Sequence, residues 1–582
     1  MNRRTFTLQA ASAAFLPAVF SKYALADEAE VPALDASTIR PSDFADADLD
    51  LPFALSHFAR LANSVQMSGP DRGFISLSVW RGTANLHPYN ARIMESILTL
   101  VWFYTAPQKW NPYRGNPALR ARLEAALTFW CNMQSDDGRF SEYGPGGWNL
   151  AATSFAVKFT SEALRLLKSG PPIDAALHQR AIDCCRKAVH AVLYNEDLLK
   201  HGRTYSNQYT NIFAGGPAFL DLYPDATLSA RLDERFLASK TELQSPAGYM
   251  YEKDGPDLGY TLNTHHENVR MAYSYWRQTP RAAQLVEEEQ RFCEWLSFNA
   301  LPEPGQNFFV LNRSIECRQQ HAIYDHLDTP VAERCIIARA FATPPELRAA
   351  RIRAAREKLE KQWPHVDPLP VGEFDAMGPY RFLQRAHYDW RPTAPQIEEA
   401  RKLVRPLAER NFVEQRKDTR EPIVFTYVRR PSYYAAFASA PKPISEQQRL
   451  GLTFVWTPAN GVLLQSQTNG TETAWGASDG AARPFEAAGV AAEYLDGNTQ
   501  IRYPLPGGGE KHVIFGEDRI RVSIQRAGAI VERVPVFDAA CVVSSAASTI
   551  KAQSVSPVPG KNFVVVELKA QDKLEYEIRP TA

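Results

Sequence analysis

The hydrophobic period of this chain changes once, near Arg420-Glu421-Pro422, and that switch limits the fold more than any other feature. From about Leu51 to Asn411 apolar residues recur at the 3.6-residue spacing that lines one face of a helix. The helical segments are 91–104, 117–134, 148–167, 173–193, 267–276, 281–299, 331–342 and 345–362. Turns such as Ser169-Gly170-Pro171-Pro172 and Asp136-Asp137-Gly138 separate them, so consecutive helices are expected to pair, as in a solenoid or a toroid. No fixed repeat length is visible, which speaks against a TPR or HEAT array. After Pro422 the runs become short and alternating or β-branched, at 423–428, 451–457, 462–467, 512–515, 520–524, 529–536 and 562–568. Turn signals between them include Asn460-Gly461, Asp496-Gly497 and Gly507-Gly508-Gly509. That pattern predicts an antiparallel β-sandwich. The expected organisation is a leader over 1–26, a helical domain over 45–415 and a β-sandwich over 421–582.

Composition excludes two classes. With 582 residues, 45% hydrophobic, and 65 basic against 65 acidic residues, the chain is neither disordered nor a nucleic-acid binder working by bulk charge. The leader is expected from Arg3-Arg4, the uncharged stretch Thr5 to Ser21, and Ala24-Leu25-Ala26 before Asp27, the order of a twin-arginine export signal with its cleavage site. Arg3, Arg4 and Lys22 would leave with it and no acid would, so 65 basic residues become 62 against 65 acidic and the net charge is −3. No later run reaches the ~18 apolar residues of a membrane span. The expected location is therefore periplasmic or secreted. Seven cysteines show no CxxC and no regular spacing, which fits buried thiols better than a zinc ribbon or a disulfide framework.

Eleven of the 12 histidines precede residue 421, so titratable equipment is concentrated in the helical part. Two stretches there are dense in polar and aromatic residues. One is His201-Gly202-Arg203-Thr204-Tyr205-Ser206-Asn207-Gln208-Tyr209-Thr210-Asn211. The other, Ser245 to Arg270, joins a glycine-rich loop to a helix and sets Tyr260 at the junction, with His265 and His266 about one turn beyond. Read alone, Asn207 is a helix N-cap candidate and Tyr260 a packing residue.

A helical part followed by a sandwich, an Asn opening a middle helix at Ser206-Asn207-Gln208, and some fifty residues later the segment Gly248 to His266 together resemble the (α/α)-toroid polysaccharide lyases of the heparinase II/III and alginate lyase type. The resemblance implies an (α/α) toroid of helix pairs before the sandwich and β-elimination on a uronic-acid polymer. In that family a His commonly follows the Asn; here Gln208 stands in its place, which moves the duty of that His to His265 or His266. It assigns Asn207 to neutralising the substrate carboxylate and Tyr260 to the base and acid role. Substrate-binding candidates are Arg203, Gln208, Glu252, Arg313, Arg318, Arg430 and Tyr433, because guanidinium groups hold carboxylates bidentately and the strand opening the sandwich reaches the toroid mouth in related lyases.

The elimination itself explains those residue types. Removing the C5 proton drives charge onto a carboxylate that is already negative, so amide and cationic donors there stabilise the transition state. A positioned Tyr can take the proton and return it to the leaving oxygen. No metal and no cofactor are expected: adjacent His265-His266 point about 100° apart on a helix, unlike the His pair of HExxH, and Asp254 and Asp257 lack an EF-hand's continuation. The expected partner is an anionic polysaccharide, with no nucleic acid. Two other readings fit a helical toroid: a glycoside hydrolase using two carboxylates from Asp137, Glu142, Glu252, Asp254 and Asp257, and a non-catalytic glycan binder using Trp80, Trp148 and Trp390.

Overall fold

The computed structural model describes residues 29–78, 81–318, 321–367, 377–383, 385, 387–468 and 470–580. The expected leader and Trp80 lie outside the described residues. The helical half comprises α1 (Leu51–Asn63), α2 (Ile97–Thr105), α3 (Pro117–Asn132), α4 (Leu150–Ser169), α5 (Ala175–Tyr194), α6 (Glu196–Thr204), α7 (Ser206–Tyr209), α8 (Asn211–Leu222), α9 (Ala226–Glu242), α10 (Leu258–Tyr260), α11 (His266–Trp276), α12 (Arg281–Ser297) and α13 (Pro345–Gln362). Three short helices close it: α14 (Tyr380–Leu383), α15 (Ala394–Arg401) and α16 (Arg405–Ala408). Starts are set by side-chain caps: Asn116, Asn149, Asp174, Asn195 and Asp225 each accept from a backbone N–H three residues on.

Burial sorts the helices into two rings. Along α4 nearly every residue from Leu150 to Leu164 is buried, and α8 is buried from Asn211 to Leu220, so both are enclosed on all sides. These inner helices pack in the order α2, α4, α8, α11. Outside them α3, α5, α9 and α12 pack in turn, each burying one stripe and exposing the other. That is a toroid of helix pairs. The segment 331–342 is a correction: it forms two 3₁₀ stretches, Pro330–Glu333 and Ile337–Phe341, rather than one helix. Its apolar residues are buried on nearly every side, so their spacing carries no helical stripe.

Two small sheets interrupt the helices: β1 (Phe140–Ser141) with β2 (Trp148–Asn149), and β3 (Ala300–Pro302), β4 (Phe309–Leu311) and β5 (Ile323–Tyr324). The second half is antiparallel: β6 (Phe412–Lys417), β7 (Val424–Arg429), β8 (Tyr434–Ser439), β9 (Gly451–Thr457), β10 (Gly461–Gln465), β11 (Gly476–Ser478), β12 (Glu493–Leu495), β13 (Gln500–Pro504), β14 (Glu510–Phe515), β15 (Ile520–Val536), β16 (Val542–Val543), β17 (Ala547–Ala552) and β18 (Val564–Ile578). The long β15 pairs with β14 at its start and with β10 and β11 at its end, so it links both parts of the sandwich. The first strand begins at Phe412, ahead of the sequence boundary, because β6 pairs residue for residue with β7.

The halves are bound to each other. The buried Asp418, just after β6, accepts from the hydroxyls of Ser245, Tyr249 (2.6 Å) and Tyr251 (3.1 Å) and from the backbone N–H of Arg420 and Glu421. Gln465 donates to the carbonyls of Leu311 and Ala322, and Tyr434 to that of Phe298. All seven cysteines are buried and free. Among the described residues no helix is long and apolar enough to cross a membrane.

Candidate active site

Three segments distant in sequence meet where α7 begins. Their backbones are joined by bridges between Tyr205 and Glu252 and between Asp257 and Glu316, and by the bonds Ser206 N–H to Tyr251 C=O (3.0 Å) and Cys317 N–H to Pro256 C=O (2.9 Å). The resulting cluster comprises His201, Tyr205, Asn207, Gln208, Glu252, Tyr260 and Arg318.

Arg318 organises it. One guanidinium nitrogen pairs with the Glu252 carboxylate and the other lies 3.3 Å from the Tyr260 hydroxyl. The group is stacked 4.0 Å from the Tyr260 ring centroid and 5.1 Å from that of Tyr205. Its backbone N–H donates to Asp257, whose other oxygen caps the turn of Tyr260 at 3.0 Å. Tyr260 is therefore fixed at both backbone and hydroxyl while remaining half-exposed. Glu252 is almost wholly buried; burial pushes its carboxyl up to about 8 against the pull of Arg318, and the Asn207 backbone N–H also donates to it. The Asn207 side-chain oxygen has no hydrogen-bond partner among the described residues although it is buried.

The Gln208 Oε1 accepts from the exposed His201 Nε2 across 3.0 Å, and His201 stacks on Tyr205 at 4.7 Å. Burial lowers the His201 imidazole below its ordinary value, with Gln208 opposing and Arg318 adding to the shift. The Ser154 hydroxyl donates to the Gln208 carbonyl (2.7 Å), which ties the site to α4 and to Trp148 just before it. Exposed Tyr143 lies in the same β1–β2 hairpin loop.

Several residues singled out from sequence are employed elsewhere. His265 lines a small buried cavity with Phe213, Met250 and Leu285, where burial pushes it down to about 3. His266 packs on Phe292 at 4.8 Å with its Nδ1 3.3 Å from Glu289. Thr261–His265 forms a single turn of π-helix, and even on a regular α-helix positions five and six residues on lie well off the face of Tyr260. Arg203 points at Glu242 of α9, 3.5 Å away. Arg313 is buried, pushed down to about 10 by burial, with Glu316 the opposing charge. Arg430 donates to Asn411 (2.7 Å), and the Tyr433 hydroxyl donates to the Gly516 carbonyl (2.7 Å), so both serve the sandwich. Trp390 lies under Arg339, 5.2 Å from its guanidinium. His201 and Tyr205 were present in the first polar stretch, and their i, i+4 spacing is the signal that could have paired them. Among the described residues no three His, Cys, Asp or Glu side chains gather as a metal site would need.

No family model matches the chain, and no curated protein matches it. Solved structures similar to it include a heparinase III (9% identity, TM-score 0.49, covering 94% of this chain and 86% of that one). Chondroitin AC lyase of Streptomyces coelicolor in complex with chondroitin sulphate aligns at 11% identity and a TM-score of 0.47, over 93% of this chain and 79% of that one. A chondroitinase AC lyase studied with oligosaccharides aligns at 13% identity and a TM-score of 0.47, over 92% and 83%.

Proposed function

We propose that this chain is a polysaccharide lyase that cleaves a uronic-acid polymer by β-elimination. The observation that carries the reading is the partly exposed Tyr260 hydroxyl held 3.3 Å from the Arg318 guanidinium, in the cluster that also contains Asn207. Tyr260 as the phenolate takes the proton from C5 of the uronate; the electron pair forms the C4–C5 double bond as the C4–O bond breaks, and the hydroxyl so formed gives that proton to the leaving oxygen, which restores the phenolate. Negative charge on the phenolic oxygen is met by Arg318. The Asn207 amide meets the charge that accumulates on the substrate carboxylate, an interaction strongest in the transition state. His201, exposed beside Gln208, takes the assisting role expected of His265 or His266.

A hydrolase would need two free carboxylates flanking one bond. Glu252 and Asp257 are close, but Arg318 engages both, through its guanidinium and its backbone respectively. Incubation with uronate polymers separates the readings. A lyase yields an ultraviolet-absorbing unsaturated end, a hydrolase yields reducing ends without it, and a glycan binder yields neither. Export through the twin-arginine route belongs to the same proposal and is supported by Arg3-Arg4; changing the pair to Lys-Lys should hold the precursor in the cytoplasm, and unaltered export would refute it.

A further inference from the structure

Around Tyr260 nearly every guanidinium already faces a carboxylate. Arg318 pairs with Glu252, Arg420 with Asp254 (2.7 Å), and Arg203 with Glu242. The buried Arg449 donates to the Glu316 carbonyl (2.8 Å), and the Glu316 carboxylate is the charge that opposes Arg313. His321 lies 3.4 Å from that same carboxylate. Elsewhere in the helical half Arg81 pairs with the buried Glu142 of the β1–β2 hairpin and Arg92 with Glu95. The remaining nearby cations, Lys253 and Lys442, are exposed, so water and salt screen them. The guanidinium groups of the site are therefore already engaged, and the chain as a whole has no excess of basic residues to add, with 65 basic and 65 acidic residues.

A sulfated polymer carries two or more anionic groups per disaccharide. Each sulfate is a pure acceptor, and binding one here means either breaking an existing ion pair or setting it beside a carboxylate, which costs affinity either way. One uronate carboxylate, in contrast, needs a single donor, which the side-chain amide nitrogen of Asn207 can supply.

We propose that the polymer this site accepts is an unsulfated uronan, with the uronate carboxylate the single anion it is built to neutralise. The inference rests on the lyase reading above. The test uses paired backbones: chondroitin and chondroitin sulfate, heparosan and heparan sulfate, alginate and chemically sulfated alginate, each followed by ultraviolet absorbance at equal uronate concentration. Expected is cleavage of at least one unsulfated member, with its sulfated partner at least tenfold slower in kcat/KM. Equal or faster cleavage of the sulfated member overturns the inference and leaves the lyase reading standing, whereas no unsaturated product from any polymer removes the lyase reading itself. A second measurement addresses cause. Asp254 sits at φ +64°, a conformation asparagine tolerates, so Asp254→Asn removes the carboxylate charge facing Arg420 while the Glu242 and Arg203 carbonyls still hold the guanidinium in place. It should raise the sulfated-to-unsulfated rate ratio about two- to fivefold. An unchanged ratio would show that charge pairing does not set the preference.

Discussion

Tyr260→Phe separates chemistry from packing because the structure assigns the hydroxyl a single partner. Removing it deletes one long hydrogen bond, 3.3 Å to Arg318, at a half-exposed position where water can replace it. The ring stays, and with it the 4.0 Å stacking on the guanidinium. The stability cost should therefore stay within about 1 kcal/mol, and in a chain this long the melting temperature should move by no more than about 2 °C. If the hydroxyl carries the proton, kcat should fall by about 10²-fold or more, a barrier increase of about 2.7 kcal/mol. The assay is initial-rate ultraviolet absorbance on whichever uronate polymer the wild type cleaves, alongside a thermal melt of both proteins. A variant keeping more than a tenth of wild-type kcat would falsify the assignment and make His201 the leading base. Loss of activity together with a large fall in melting temperature would instead mean that the ring position is structural.

Asn207→Ala should lower kcat by roughly 10- to 100-fold with a smaller change in KM, since the charge it meets is largest in the transition state; a change confined to KM refutes that role. Asp418→Asn should cost about 2–4 kcal/mol in urea unfolding, because the amide cannot accept from all five donors that surround the carboxylate; a loss under about 1 kcal/mol would show that the joint contributes little. Glu288, buried with Gln284 and Ser239 donating to it, is pushed up to about 7 by burial, so the folded chain holds a proton that the unfolded chain releases. Its contribution to stability falls as pH rises from about 4.5 to about 7. Glu288→Gln should therefore gain on the wild type by roughly 1–3 kcal/mol across that window, and parallel stability curves would contradict the shift.

The fold was legible wherever periodicity and punctuation agreed. The segments 117–134, 148–167, 173–193, 281–299 and 345–362 correspond to α3, α4, α5, α12 and α13 with ends moved by two residues or fewer. Two β runs, 520–524 and 529–536, proved to be one strand, because a register shift between Gln525 and Ala529 interrupts the alternation without ending the pairing. The site was legible in its residues and illegible in its partnerships. Tyr260, Asn207, Glu252 and Arg318 were all singled out, yet nothing in the sequence indicates that Arg318, contributed from beyond β4, reaches back to both Glu252 and Tyr260. The histidines failed on spacing: positions five and six residues on lie well off the face of residue i on a helix, and His265 and His266 are buried while Tyr260 is partly exposed.

The loop that carries the site is held in an unusual conformation, and the second domain is what holds it. Glu252 and Gly255 exchange backbone hydrogen bonds of 2.7 and 3.3 Å around Lys253 and Asp254, both at positive φ (55° and 64°). A left-handed lysine costs about 1–2 kcal/mol, so this turn persists only where its surroundings fix it. Those surroundings come from both halves of the chain. On the toroid side the Lys253 N–H donates to the Thr204 carbonyl at 2.8 Å. On the sandwich side Arg420 pairs with Asp254, Ser445 donates to the Cys317 carbonyl, and Ile444 comes so close that a Cβ on Gly255 would stand 3.0 Å from its Cδ1 and 2.6 Å from Cys317 Sγ. Glu252 leads directly into this turn, and Arg318 comes immediately after Cys317. The distance between Arg318 and Tyr260 is thus set by contacts that the toroid alone does not possess, which makes the β-sandwich part of the site's framework rather than an appendage to it.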